Sequence, residues 1–169
     1  VVSINSVDGT SALPVILVQT GIQKITQWAD VGYSTGLMDI SLLLGPDIKH
    51  VPATLPSNLT NLSMMFSGAI GFNDSNVVGW DTSNVTNMNA LFNGCYTFNQ
   101  PIGDWDTSNV TNMTSMLGDN AAFNQSIDGW DVSKVTSARY LFSGCISLNS
   151  PITNLTFSVA TDLSGLFLG

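Results

Sequence analysis

The sequence predicts an α/β fold, a right-handed solenoid of about five coils with a parallel sheet on one face and short helices on the other. Three observations predict it. Val85-Thr86-Asn87-Met88 recurs as Val110-Thr111-Asn112-Met113, and more loosely as Val135-Thr136-Ser137-Ala138 and Ala160-Thr161-Asp162-Leu163, each 25 residues on. Each period joins an apolar set at helical spacing to an apolar segment too short for a helix. Ser, Thr and Asn supply 20, 16 and 16 of the 169 residues and Glu is absent, which suits turns and short elements and argues against a bundle of long helices.

The same step links Trp80, Trp105, Trp130 and Leu155, then Phe92, Leu117, Phe142 and Phe167, then Phe98-Asn99, Phe123-Asn124 and Leu148-Asn149. An earlier copy, Leu59-Thr60-Asn61-Leu62 with Phe66 and Phe72-Asn73, lies 26 residues ahead because one extra residue falls between Asn73 and Trp80. Upstream, Leu13 to Val18 reads as a strand. Within one copy Val110, Met113, Met116 and Leu117 share one face of a two-turn helix that Thr111 caps. Gly68, Gly94 and Gly144 each follow an apolar ring by two residues, where a left-handed residue ends a helix. Helices are therefore expected near 60–67, 86–93, 111–117, 136–143 and 161–168. The other half of each copy centres on Val77, Ile102, Ile127 and Ile152. Pro101 and Pro151 share a column there, and a strand starts after them because proline donates nothing to a ladder. Strands are expected near 50–52, 77–80, 102–105, 127–130 and 152–155. The columns Phe66/Phe92/Leu117/Phe142/Phe167 and Val77/Ile102/Ile127/Ile152 are the expected core.

A chain of this length buries roughly two-thirds of its unfolded surface, and 44% apolar residues suffice for a core. Twelve acidic against four basic residues give a net charge of −8, so nucleic acid and anionic membrane surfaces are poor partners. The longest apolar runs, Val15 to Val18 and Leu42 to Leu44, fall far short of the roughly 20 residues of a spanning helix, so no membrane insertion is expected. Neither an initiator Met nor a signal peptide is seen, which points to a processed product or an excised piece. An acidic, Lys-poor, Ser/Thr/Asn-rich chain points to the exterior of a cell or virion.

The run Phe98-Asn99-Gln100-x-Ile102-x-x-Trp105-Asp106-Thr107-Ser108-Asn109-Val110-Thr111-Asn112-Met113 closely resembles the 25-residue repeat of BspA-like leucine-rich-repeat surface proteins. The resemblance covers residues 54–169. Ile25-Thr26-Gln27-Trp28-Ala29-Asp30-Val31 looks like the segment that closes the end of the repeats in that family. It implies two parts, an N-terminal strand and capping segment at 1–45 and a leucine-rich-repeat solenoid at 46–169. It also implies an extracellular, non-enzymatic protein of adhesion or surface recognition. The last copy departs from the pattern, with Leu155 for Trp, Thr156 for Asp and Ala160 for Val.

Stacking turns each repeat position into a column with a step of about 4.8 Å. Trp80, Trp105 and Trp130, beside Gln100, Asp104 and Asp128, are the candidate ligand-binding set: exposed rings would take the apolar faces of sugars and carboxylates their hydroxyls. The reading favoured is the other one, a row of Trp buried as core. Asp81, Asp106 and Asp131 are weak candidates for a shared Ca²⁺, since no dense acidic loop accompanies them. An Asx-type turn, in which each carboxylate accepts N–H from the following residues, explains them better. Asn73, Asn99, Asn124 and Asn149 read as an inward asparagine ladder.

His50 is the only histidine, and nothing around it suggests a nucleophile, so no enzyme, no cofactor and no metal are expected. The leading reading is an extracellular, surface-displayed module for adhesion or recognition of protein or glycan. Its rival is a structural subunit of an extracellular filament, coat or virion appendage. Leu163, Leu166, Phe167 and Leu168 leave the last coil without a polar cap, making them the candidate assembly interface, covered by a continuing chain or by a second subunit. Cys95 and Cys145 lie two periods apart, about 9.6 Å at this step, so they should not pair.

Overall fold

A computed structural model describes residues 17–18, 23–26, 28 and 42–169. Among the described residues the elements that can be delimited are two parallel strands, β1 (Leu17–Val18) and β2 (Leu42–Leu43), and a 3-10 helix, Ser75–Gly79. Leu17 pairs with Leu42 and Val18 with Leu43. Among the described residues there is no α-helix and no strand in the repeats. The expected α/β leucine-rich-repeat solenoid, with a parallel sheet on one face and short helices on the other, is thereby overturned. The segments expected as helices are turns, and those expected as strands are irregular, except that 77–79 lies in the 3-10 helix and His50 pairs singly with Lys24. Residues 13–16 of the first expected strand, and most of the expected segment 1–45, lie outside the described residues.

The 25-residue step survives as a stack of coils, and the backbone explains why the coils contain turns instead of helices. A helix sends every N–H to the carbonyl four residues back. Here alternate amides do different things. Leu91, Asn93 and Cys95 donate to the carbonyls of Met88, Ala90 and Phe92, three residues back, closing successive β-turns. Met88, Ala90, Phe92 and Gly94 donate instead to Asn112, Thr114, Met116 and Gly118 of the next coil, at 2.8 to 2.9 Å. Such a path needs left-handed residues. Met64, Ala90, Ser115, Tyr140 and Gly165 supply one per coil, with φ from 50° to 64°, and Gly68, Gly94 and Gly144 supply a second at 71° to 76°. The glycines are left-handed as expected, but they end turns. Single parallel pairings run up the column Asn61, Asn87, Asn112, Ser137 and Asp162.

The expected strands fail because their carbonyls are otherwise engaged. Trp80, Trp105 and Trp130 donate their backbone N–H to Val77, Ile102 and Ile127 at 3.0 to 3.2 Å, bending each segment into a turn. Their indole N–H groups then reach the preceding coil. Trp105 Nε1 donates to Val77 O at 3.0 Å and Trp130 Nε1 to Ile102 O at 2.9 Å. Side chains thus take the acceptors that a sheet would use.

Inside the coils the apolar columns stack. Phe72, Phe98 and Phe123 follow one another at 6.2 Å between ring centroids, nearly parallel. Phe66 and Phe92 stack at 5.4 Å. All five rings are fully buried, each contributing about 2–3 kcal/mol by removal from water. The expected core columns hold as far as Phe142 and Ile127. In the last coil Ile152 is half-buried and Phe167 is 56% exposed.

Candidate functional site

The tryptophan column is core. Trp80, Trp105 and Trp130 are all buried, and Trp80 stacks on Trp105 at 6.2 Å with Trp28 edge-on to it at 5.7 Å. Their faces are closed to a sugar, which removes the aromatic platform from the candidate ligand-binding set. The polar members of that set are not brought together around the rings. Gln100 donates to the carbonyl and amide oxygens of Asn73 at 3.0 and 2.8 Å, and Asp128 accepts from the backbone and hydroxyl of Thr153. Asp104 is exposed, beside a shallow groove with Gln125 and Ser126.

Asp81, Asp106 and Asp131 stand exposed in a row, each accepting the N–H of the serine two residues on, at 2.9 to 3.1 Å. Hydrogen bonding by Ser83, Ser108 and Ser133, hydroxyl first and amide second, holds these carboxyls below the usual carboxylate range. Repulsion from Asp81 and Asp131 partly opposes this at Asp106. The turn explains the row, and among the described residues no group of three His, Cys, Asp or Glu side chains is placed to hold a metal ion.

The asparagine ladder exists, but on the surface. Asn73, Asn99 and Asn124 each accept, through the side-chain oxygen, the backbone N–H of the asparagine one coil on, at 2.7 to 2.9 Å. Asn73, Asn124 and Asn149 are exposed and Asn99 is half-buried, which corrects the inward placement. An outward position suits them because one amide edge bonds the next coil while water takes the other. Thr86, Thr111, Thr136 and Thr161 form a second outward ladder, each donating its N–H and hydroxyl to the threonine carbonyl of the coil before.

Cys95 and Cys145 are free. Each thiol donates to a carbonyl of the preceding coil at 3.0 Å, and burial pushes Cys95 up to about 12 and Cys145 to about 11. Between them in the same column sits Asn120, fully buried, its amide N donating to Phe92 O at 2.7 Å and its oxygen without a partner. His50 lies 3.6 Å from Asp74, whose carboxylate also accepts the N–H of Val51 and of Asn76, so the pair ties down a loop.

Of the candidate assembly residues, Leu163, Phe167 and Leu168 are exposed and Leu166 is half-buried. One exposed row escapes the repeat pattern. Ile70, Tyr96 and Ile146 are 54%, 51% and 78% exposed, two residues after the left-handed positions Gly68, Gly94 and Gly144. Ala121 holds the fourth place. No residue type recurs there, so the row carries no motif; its only signal is the constant offset from those positions.

The stack and its columns define a repeat protein whose coils are joined by amide and indole hydrogen bonds. Residues 60–169 match the family described as Mycoplasma protein of unknown function, DUF285. The chain belongs to that family, which is associated with BspA-like repeat proteins. No curated protein and no solved structure matches it.

Proposed function

We propose that the chain is a non-catalytic recognition or adhesion module acting outside the cell, and that it meets a protein partner with the side of its stack. The observation that carries this reading is the exposed row Ile70, Tyr96 and Ile146. Aligned exposed apolar residues mark contact surfaces, and tyrosine is enriched in them. With the tryptophan rings buried, protein is favoured over glycan. The polar repeat residues are largely bonded to neighbouring coils, which supports a binding role over a catalytic one. The acidic, Lys-poor composition and the family's association with BspA-like proteins support the extracellular placement.

The test is to probe arrays of purified extracellular proteins and of glycans with the 169-residue chain and with a Tyr96→Asp/Ile146→Asp variant. Saturable binding to a protein, lost in the variant at unchanged melting temperature, is the expected result. Binding confined to glycans, or equal binding by the variant, would overturn the reading.

A further inference from the structure

Three coils close their run of turns with a small polar residue followed by a left-handed glycine: Ser67-Gly68, Asn93-Gly94 and Ser143-Gly144, with φ of 71° to 76° at the glycines. One inner coil reverses the order. There the pair is Gly118-Asp119, and Asp119 holds φ 58°, a region that glycine enters without strain and a residue with a Cβ does not. Backbone strain of this kind collects where a side chain is needed for binding. The Asp119 side chain is exposed, and among the described residues its carboxylate accepts no hydrogen bond and meets no cation. Asp81, Asp106 and Asp131, by contrast, are each bonded to a serine.

A groove of about 240 Å³ opens beside Asp119, lined with it by Asn93, Ser115, Gly118, Tyr140 and Ser143. Two glycines clear its floor. A Cβ on Gly118 would stand 2.7 Å from Asn93 Nδ2, and one on Gly144 would stand 2.5 Å from Asp119 Oδ1, so the Asn93 amide and the Asp119 carboxylate each lean over the coil that follows. Tyr140 forms a wall, its ring packed over Gly165. Arg139 stands over that ring at 4.8 Å and donates to its hydroxyl, but the acid it interacts with is Asp162, not Asp119. The groove therefore holds a carboxylate that the described part of the chain leaves without a counter-charge.

We propose that this groove binds a basic side chain, arginine in preference to lysine, and so selects the protein partner inferred above, a reading on which the proposal rests. The carboxylate takes two guanidinium N–H groups side by side, and the side-chain oxygens of Asn93 and Ser115 on the same lining accept others. Lysine, a point charge, uses the carboxylate alone. Size favours a side chain over a free ligand, since the groove is smaller than the roughly 300–1,000 Å³ of small-molecule sites. Its position favours a partner protein. Ala121, two residues past Asp119, is the one small member of the row Ile70, Tyr96, Ala121 and Ile146, so the row is notched at the coil that carries the carboxylate. A partner lying across Tyr96 and Ile146 sends its arginine in there.

The test is an NMR titration of the 169-residue chain with a blocked Gly-Arg-Gly peptide, with its lysine counterpart, and with the same peptide carrying citrulline, which has the shape of arginine without its charge. At about 0.15 M salt, where distant charges are screened, the arginine peptide should shift the amides of Gly118, Asp119 and Ser143 saturably, with a midpoint of about 10 mM. Lysine should bind more weakly, and citrulline at least about threefold more weakly than arginine. Asp119→Asn, a residue that also tolerates the left-handed backbone, should weaken arginine binding by the same factor at unchanged melting temperature. The proposal fails if citrulline or Asp119→Asn matches the unsubstituted pair, or if nothing saturates up to about 100 mM. It fails too if the amides around Asp81, Asp106 and Asp131 shift equally, which would mean general attraction to an acidic chain, or if a neutral methyl glycoside shifts the groove amides as strongly, which would make it a glycan site. Tyr96→Ser/Ile146→Ser, altered only in the row, should leave the titration unchanged. A failed titration with protein binding on the arrays intact removes the groove and keeps the reading above. A sound titration with no protein bound on the arrays removes that reading and overturns the role of the groove in choosing a partner.

Discussion

The buried oxygen of Asn120 makes a quantitative prediction. Its column runs Ala69, Cys95, Asn120, Cys145, and both thiols donate to the carbonyl that their coil position faces. Asn120 makes the same bond through its amide nitrogen but carries an acceptor that nothing meets. An unmet buried polar group costs about 1–3 kcal/mol. Asn120→Cys keeps a donor toward Phe92 O, though a weaker one, and removes the acceptor. Subtracting about 0.5–1 kcal/mol for the weaker bond leaves a gain of about 1 kcal/mol, roughly 2–4 °C in melting temperature for a chain of this size. The assay is urea unfolding under reducing conditions, because a cysteine one coil from each neighbour, at about 4.8 Å, comes within disulfide reach of both. Asn120→Asp should do the opposite. Burial raises the pKa of such a carboxyl in the folded state, so its penalty grows as pH rises above the ordinary carboxylate value, and the variant should be far weaker at pH 7 than near pH 4. If Asn120→Cys loses more than about 0.5 kcal/mol, or Asn120→Asp is insensitive to pH, the oxygen is not an unmet acceptor in a dry interior.

Leu155 occupies the tryptophan position of the last coil, so Leu155→Trp should reach Ile127 O and raise stability by about 1 kcal/mol. Leu155→Phe, which has a ring but no N–H, should gain less, and equal gains in thermal unfolding would show that the indole bond is idle. Asp119 holds φ 58° in a column otherwise filled by left-handed glycine. Chemical denaturation should find Asp119→Gly neutral or slightly stabilising and Asp119→Val weaker by about 1–2 kcal/mol, since a branched side chain resists that region. The carboxyls of Asp81, Asp106, Asp131 and Asp162 are held low by their serine partners, so their contribution is present above the ordinary carboxylate value and is lost as pH falls through the folded values. Melting temperature should therefore drop below about pH 4, and replacing Ser83, Ser108 and Ser133 by Ala should flatten that drop.

A period in sequence shows which residues stand above one another, because stacking requires only a constant step. Hence the tryptophan and phenylalanine columns, the Asx turns at Asp81, Asp106 and Asp131, and the separation of Cys95 from Cys145 were legible before any coordinates. The path of the chain within one coil is a different quantity. A two-turn helix and a run of β-turns both return an apolar residue to the interior every three or four positions, so Val110, Met113, Met116 and Leu117 are buried either way. What separates the two is the sign of φ at Met64, Ala90, Ser115 and Tyr140, and none of these residue types signals a left-handed backbone. Only Gly165 in that column does. The strand segments misled for a related reason. Val77 and Ile102 look like strand residues until their carbonyls are found accepting indole N–H groups from Trp105 and Trp130, an arrangement that pairs residues 28 apart and leaves no trace in a 25-residue register. The direction of the backbone amides in the turns, each coil donating to the one that follows it, depends on those same left-handed residues and is therefore not legible in the sequence, although the apolar character of the last coil is plain from Leu163, Leu166, Phe167 and Leu168.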